Sequence, residues 1–252
     1  MTAASTNGPD GPAIRAIDPW LPGIPSGGKY RQLLSDEERA RLATIASIVR
    51  FKKSEKIYSD GKPAEAIFNI VSGVVKTYKP TANGGKHIAA FLYPEDLFGL
   101  SEEGRYTNSA TAITPVTAYA LPVSALRRRL SKDAALEYHL IVKLYHALRE
   151  TQRHALLLAQ RHAASKLAIF LQLQEHVQSA NREPAEIYLP MDRSDIADYV
   201  GMSLAAVSRG FRALATQRVI KIRDRRHVKI IDRKTFEKLA GKVSGPDRAK
   251  SK

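Results

Sequence analysis

Apolar residues recur with two different periods along the chain, and the places where the period changes divide it into segments. Near the start, Ser35 stands three positions before Glu38, the spacing of a capping box, and Leu42, Ile45, Ile48 and Val49 continue the pattern as a short amphipathic helix. From residue 50 to 122 the pattern shortens to alternation. Runs such as Ala66-Ile-Phe-Asn-Ile-Val and His87-Ile-Ala-Ala-Phe-Leu-Tyr are broken at Asp60-Gly61, Ser72-Gly73, Asn83-Gly84-Gly85 and Pro94-Glu95-Asp96. Many short strands with closely spaced turns predict an antiparallel β-barrel or jelly roll.

Helical spacing returns over residues 123–177, a stretch without Gly or Pro that predicts one or two long helices. Within it Ile141, Leu144, Leu148, Thr151, Ala155, Leu158 and His162 fall at alternating three- and four-residue steps, a heptad seam suited to pairing with a second copy. Leu136, Leu140, Leu156 and Leu157 form a second apolar set for packing on the barrel. His139, His146 and His154 lack an accompanying carboxylate pair and read as solvated or flanking positions of the coiled coil.

The stretch 192–217 has the spacing of a helix-turn-helix. A first helix over 193–200, capped by Asp192 or Ser194, buries Ile196, Ala197 and Val200; Gly201 then permits the left-handed turn, and Ser203 caps a second helix. In that helix Leu204, Val207, Phe211 and Leu214 face inward, leaving Ala205, Ser208, Arg209 and Arg212 outside. Two short helices joined by Gly occur in many all-α domains. The residues C-terminal to the motif favour nucleic acid: 219–223 and 227–231 alternate apolar and basic positions around Asp224-Arg-Arg, as a charged hairpin, or wing, would.

Composition sharpens this picture. The 252 residues carry a formal charge of +15, and between Ser203 and Thr235 ten Lys or Arg face two Asp, so over half the excess sits where a phosphate backbone would lie. Residues 1–30 read as a disordered lead, 31–130 as the barrel, 131–160 as a pairing helix, 161–240 as the winged domain and 241–252 as a basic tail. No secretory signal and no long apolar run is present, so a cytoplasmic protein without a membrane partner is expected. With no cysteine, disulfides and cysteine-held iron–sulfur clusters are excluded. A barrel metalloenzyme would need converging imidazoles, and residues 50–122 hold only His87; no metal site and no catalytic constellation is predicted.

An α+β chain with this order of elements resembles the Crp/Fnr family, the cyclic-AMP receptor and fumarate–nitrate regulator type, over residues 33–240. The resemblance is carried by Tyr93-Pro-Glu-Asp-Leu-Phe-Gly-Leu in the barrel, Lys166-Leu-Ala, Asp195-Ile-Ala-Asp-Tyr-Val-Gly and Val207-Ser-Arg. It implies a cyclic-nucleotide-binding-like barrel, a dimerisation helix and a winged helix-turn-helix, in a homodimeric transcription regulator that binds double-stranded DNA with two-fold-related half-sites and contacts RNA polymerase. By the same resemblance, phosphate contacts fall on Arg193, Ser203 and Arg212, with Arg225 and Arg226 at the wing tip, and Arg209, Ser208 and Ala205 read bases.

Two departures from the family pattern bear on function. Cyclic-nucleotide binders use a Glu for the ribose and an Arg-Ser pair for the phosphate; Leu97 stands in place of that Glu, and Thr107-Asn108 in place of the pair. The remaining candidates for an effector pocket are Gly99, Arg105, which could compensate if its loop shifts, and Thr151, matching a purine contact on the pairing helix. Cyclic AMP is therefore not expected, and His87 offers only thin support for haem; no cofactor is predicted. In the second helix the family's Glu-x-x-Ser-Arg becomes Ala205-Ala-Val-Ser208-Arg209, which keeps the guanine reader and loses the acceptor. A non-specific or architectural DNA-binding protein is the competing reading.

Overall fold

The computed structural model describes residues 36–101, 103–178 and 186–241. The proposed lead, Ser35 with its capping box, and the tail beyond Gly241 lie outside the described residues.

Helix α1 (Asp36–Ala43) ends where Thr44 turns its hydroxyl back to the Arg41 carbonyl, 2.7 Å away. Ile48 and Val49, predicted to extend this helix, instead lie in strand β1 (Ser47–Phe51), paired with Tyr119 and Ala118. Adjacent β-branched side chains favour a strand, and here they point to opposite faces: Ile48 is exposed and Val49 packs on the core.

Seven more strands follow: β2 (Lys56–Tyr58), β3 (Ala66–Ser72), β4 (Val75–Pro80), β5 (Lys86–Leu92), β6 (Leu97–Phe98), β7 (Ser109–Ala112) and β8 (Val116–Pro122). They form two four-stranded antiparallel sheets in the orders β1-β8-β3-β6 and β2-β7-β4-β5, so the expected barrel is realised as a jelly roll. Strand β8 shows how the alternation builds it. Val116, Ala118 and Ala120 face the space between the sheets, while Tyr119 and Leu121 face a second core with Leu126 and Leu136 of the helices. Between the sheets the aromatic rings fill the interior: Tyr58 stacks on Tyr106 at 3.9 Å, and Phe68 on Phe98 at 5.2 Å.

Residues 123–178 form three helices, α2 (Val123–Leu130), α3 (Ala134–Leu158) and α4 (Ala163–Gln178), where one or two were expected. The first break falls at Asp133, whose carboxylate accepts the Leu136 N–H at 3.2 Å; a capping residue ends the pattern without Gly or Pro. On α3, Leu136 packs on the jelly roll as predicted, Leu157 is buried in the core shared with the C-terminal unit, and Leu156 is exposed. Neighbouring residues on a helix point about 100° apart, so one docking face cannot take both Leu156 and Leu157.

The C-terminal unit adds β9 (Ile187–Tyr188), α5 (Arg193–Val200), α6 (Leu204–Thr216), β10 (Ile220–Ile222), β11 (His227–Ile230) and α7 (Arg233–Ala240). Its core gathers Leu167 and Phe170 from α4, Ile196 and Val200 from α5, Val207, Phe211 and Leu214 from α6, and Phe236 from α7. Gly210 lets α6 lie against α4: a Cβ there would sit 2.5 Å from a Leu167 methyl. The same core reaches the jelly roll, because Phe91 of β5 packs on Tyr199 of α5 at 5.0 Å.

Candidate nucleic-acid interface

Local chemistry sets the angle between α5 and α6. Gly201 takes φ 64° and ψ 48°, a conformation costly for any residue with a Cβ, and ends α5. Ser203 then caps α6, its hydroxyl accepting the Ala206 N–H at 3.2 Å. Asp192 occupies the N-cap position of α5 without a side-chain bond to the helix. Val207, Phe211 and Leu214 are buried, and Ala205, Ser208, Arg209 and Arg212 are exposed, as the spacing predicts. Leu204 does not face inward: it is 51 % exposed, because the first turn of α6 overhangs the core its later turns pack on. The outer surface of α6 therefore carries two ridges, Ala205 with Arg209, and Leu204 with Ser208 and Arg212.

The second ridge forms one wall of a cleft of about 880 Å3 between α6 and the wing, bordered also by Arg193, Arg225 and Arg226. Four guanidinium groups thus converge on one hollow. Arg193 lies with its guanidinium carbon 3.5 Å above the Phe211 ring. Burial lowers its pKa to about 10, and its Nη1 is buried with no hydrogen-bond partner among the described residues. Arg193 thus places a half-buried guanidinium on the cleft wall, a charge suited to an anion.

The wing is a three-stranded sheet, β10-β11-β9, whose third strand was not foreseen. Gln178 holds β9 by bonding both the N–H and the carbonyl of Tyr188 at 2.8 Å. Asp224 organises the tip, accepting the N–H groups of Arg226 and His227 at 2.7 and 2.9 Å; the Arg226 N–H contributes most to holding its carboxyl down at about 2. Arg225 is exposed. Arg226, expected at the tip as a free cation, turns back to donate to the Pro190 carbonyl at 2.5 Å and approaches Asp192 at 3.5 Å. It clamps the wing to the start of α5 while still bordering the cleft.

The opposite side of α5 meets the jelly roll. Asp195, two residues from Arg193 and only 7 % exposed, accepts from Lys76 of β4 at 2.7 and 2.8 Å and from Lys86 of β5 at 2.7 Å; Asp198 stands 3.8 Å from Lys86. Burial depresses the Lys76 pKa despite Asp195. For Lys86, burial also acts downward, but the two aspartates outweigh it and the pKa rises. His154, read from sequence as a solvated or flanking position, stacks on Tyr199 at 4.0 Å with its Nε2 2.7 Å from the Tyr199 carbonyl. Burial lowers its pKa, so it is a neutral packing residue. None of these contacts was legible from spacing.

The effector candidates are not gathered into one pocket. Leu97 packs toward the helices and away from the interior that its neighbour Phe98 fills. Arg105 donates to the Gly61 carbonyl at 2.8 Å on the exposed surface, and Thr107 is exposed. Thr151 donates to Ala147 on the outer face of α3. Only Asn108, bonded to the Tyr58 hydroxyl, and Gly99, close to Phe68 and Tyr106, adjoin the interior. His87 is exposed on β5. Along α3 the predicted seam is open: Ile141, Leu144, Leu148 and Leu158 are all exposed large apolar side chains, and Thr151 and Ala155 are exposed between them. No helix among the described residues is long and apolar enough to cross a membrane.

A jelly roll joined through a long helix to a winged helix-turn-helix with a cationic cleft is the architecture of an effector-domain transcription regulator. Residues 48–133 match the cyclic nucleotide-binding domain and residues 165–239 the Crp-like helix-turn-helix domain. The chain belongs to the Crp/Fnr family of transcription regulators. It is 31% identical over 209 residues to the nitrogen fixation regulation protein FixK of Azorhizobium caulinodans, covering 81% of this chain and 84% of that one. The FixK protein of Bradyrhizobium diazoefficiens is 30% identical over 175 residues, 69% of this chain and 74% of the relative. Among solved structures, FixK2 from Bradyrhizobium japonicum superposes with a TM-score of 0.72 at 28% identity, covering 79% of this chain and all of that one.

Proposed function

We propose that the protein acts as a homodimer that reads a two-fold-related DNA site and from there contacts RNA polymerase. The observation that carries this reading is the exposed basic surface of α6 beside the arginine-lined cleft. In it, α6 enters the major groove with Arg209 donating to guanine O6 and N7, Ser208 beside it and Ala205 against a thymine methyl. Arg193, Ser203, Arg212 and Arg225 hold the flanking phosphates, and Arg226 sets the wing's position as well as adding charge. The pairing surface is the α3 seam of Ile141, Leu144, Leu148, Thr151, Ala155 and Leu158, whose exposure in a single chain supports burial against a second copy.

The jelly roll in this reading is not a cyclic-AMP receptor. The packed Tyr58, Phe68, Phe98 and Tyr106 rings, together with the scattered positions of Leu97, Arg105 and Thr107, support a barrel that does not take this nucleotide. The deciding experiment is selection of bound duplexes from a randomised library, followed by footprinting. Enrichment of an inverted repeat, bound about 10³-fold or more tighter than random DNA, supports specific regulation. Binding without enrichment would make the protein a non-specific or architectural DNA binder.

A further inference from the structure

We infer that Lys76 and Lys86 of the jelly roll are positioning residues for DNA recognition: by gripping Asp195 from two strands they fix the orientation of the helix-turn-helix relative to the pairing helix. Both ammonium groups lie 2.7–2.8 Å from that one carboxylate, with 15 % and 29 % of their side chains exposed. The surrounding contact of Phe91 with Tyr199 and Phe170 is apolar and tolerates sliding. Hydrogen-bonded charge pairs do not, because a small displacement strands three partly desolvated charges. Apolar packing holds the domains together; the lysines set the register.

The register matters because of what shares the first turn of α5. Arg193 enters the cleft and Asp195 faces the jelly roll, two residues apart, so α5 cannot rotate on the β4–β5 surface without moving the cleft. Helix α6 follows rigidly through the Gly201 turn and the shared core. Two copies reach two half-sites only if their α6 helices keep one separation and tilt. Side chains on the outer face of the jelly roll thus control half-site spacing without touching DNA. This role rests on the dimeric DNA-reading function proposed above.

Two measurements test it. The chain has no cysteine, so spin labels at Lys62→Cys and Thr216→Cys, both exposed, report the distance between jelly roll and α6 when labelled chains are diluted with unlabelled ones. The wild-type background should give one narrow distribution, and Lys76→Met with Lys86→Met a broadened one. Asp195→Asn should broaden it too, but that change also removes a first-turn negative charge from α5, so the lysine pair is the cleaner test. In parallel, the duplex selected by the wild type is compared with the same duplex lengthened by two base pairs at its centre. The lysine variant should lose about fivefold or more in affinity for the selected duplex and discriminate less against the lengthened one. A variant that keeps both the narrow distribution and the spacing preference overturns the role of the lysines. A wild-type chain that selects no paired half-sites overturns the dimeric reading itself, whatever the spin labels report.

Discussion

Replacing Leu144 and Leu148 of α3 by Glu should separate the proposed dimer into monomers without unfolding the chain. These side chains are 43 % and 52 % exposed in a single chain, so roughly half of each is available for burial against a partner. Full burial of a leucine is worth about 1.5–3 kcal/mol, so half burial contributes about 1 kcal/mol for each of four leucines in the pair. Losing about 4 kcal/mol raises the dissociation constant by about 10³, before counting the repulsion of four carboxylates across the seam. Sedimentation equilibrium over a wide concentration range reads the constant directly. Circular dichroism should be unchanged, since the substituted positions are not part of the buried core. If the variant stays dimeric wherever the wild type is dimeric, the α3 seam is not the interface and its leucines contribute nothing to pairing.

Three further outcomes are expected. Arg209→Ala should cost about 1–3 kcal/mol on the selected duplex and little on random DNA, whereas Arg225→Ala should weaken both and lower the slope of log K against log salt by about 1 per subunit; quantitative gel shifts across a salt series separate the two, and equal loss on both DNAs for Arg209→Ala would misplace the reading helix. Titration calorimetry with micromolar cyclic AMP should give no saturable heat, and a one-to-one isotherm would show that the aromatic interior opens. Burial raises the Asp96 carboxyl from 3.8 to about 6 against the opposing pull of the Tyr93 N–H. Between pH 3.8 and about 6 the native state therefore holds a proton that the unfolded chain has released. This contribution to stability falls as pH rises through that window, and Asp96→Asn should abolish the fall and add about 1–3 kcal/mol at pH 7 in denaturant titrations; an unchanged pH profile would refute it.

Most of the fold was legible because its signals are local. Gly201 and Ser203 sit within the turn they create, and the strands of the jelly roll announce themselves by alternation and by Gly-containing turns. Periodicity misled where an element extends past its core. Leu204 continues the inward stripe of α6 yet is half exposed, and a sequence period cannot show where packing stops; on α3 the error was to assign the neighbours Leu156 and Leu157 to one face. The candidate interface was read correctly as to exposure at Ala205, Ser208, Arg209 and Arg212. What escaped depends on long-range closure: Lys76 and Lys86 lie 119 and 109 residues from Asp195, and Arg226 bonds a carbonyl 36 positions earlier. The break at Asp133 is an intermediate case, a capping signal present in the sequence and masked by the apolar run around it.

The bare seam on α3 also has a kinetic and cellular meaning. If the protein pairs through this seam, as proposed, the DNA-competent species is second order in chain concentration wherever monomer predominates, so halving the amount of protein quarters the amount of dimer. On the proposed dimeric reading, this square law converts a modest change in synthesis or degradation of the chain into a steep change in promoter occupancy.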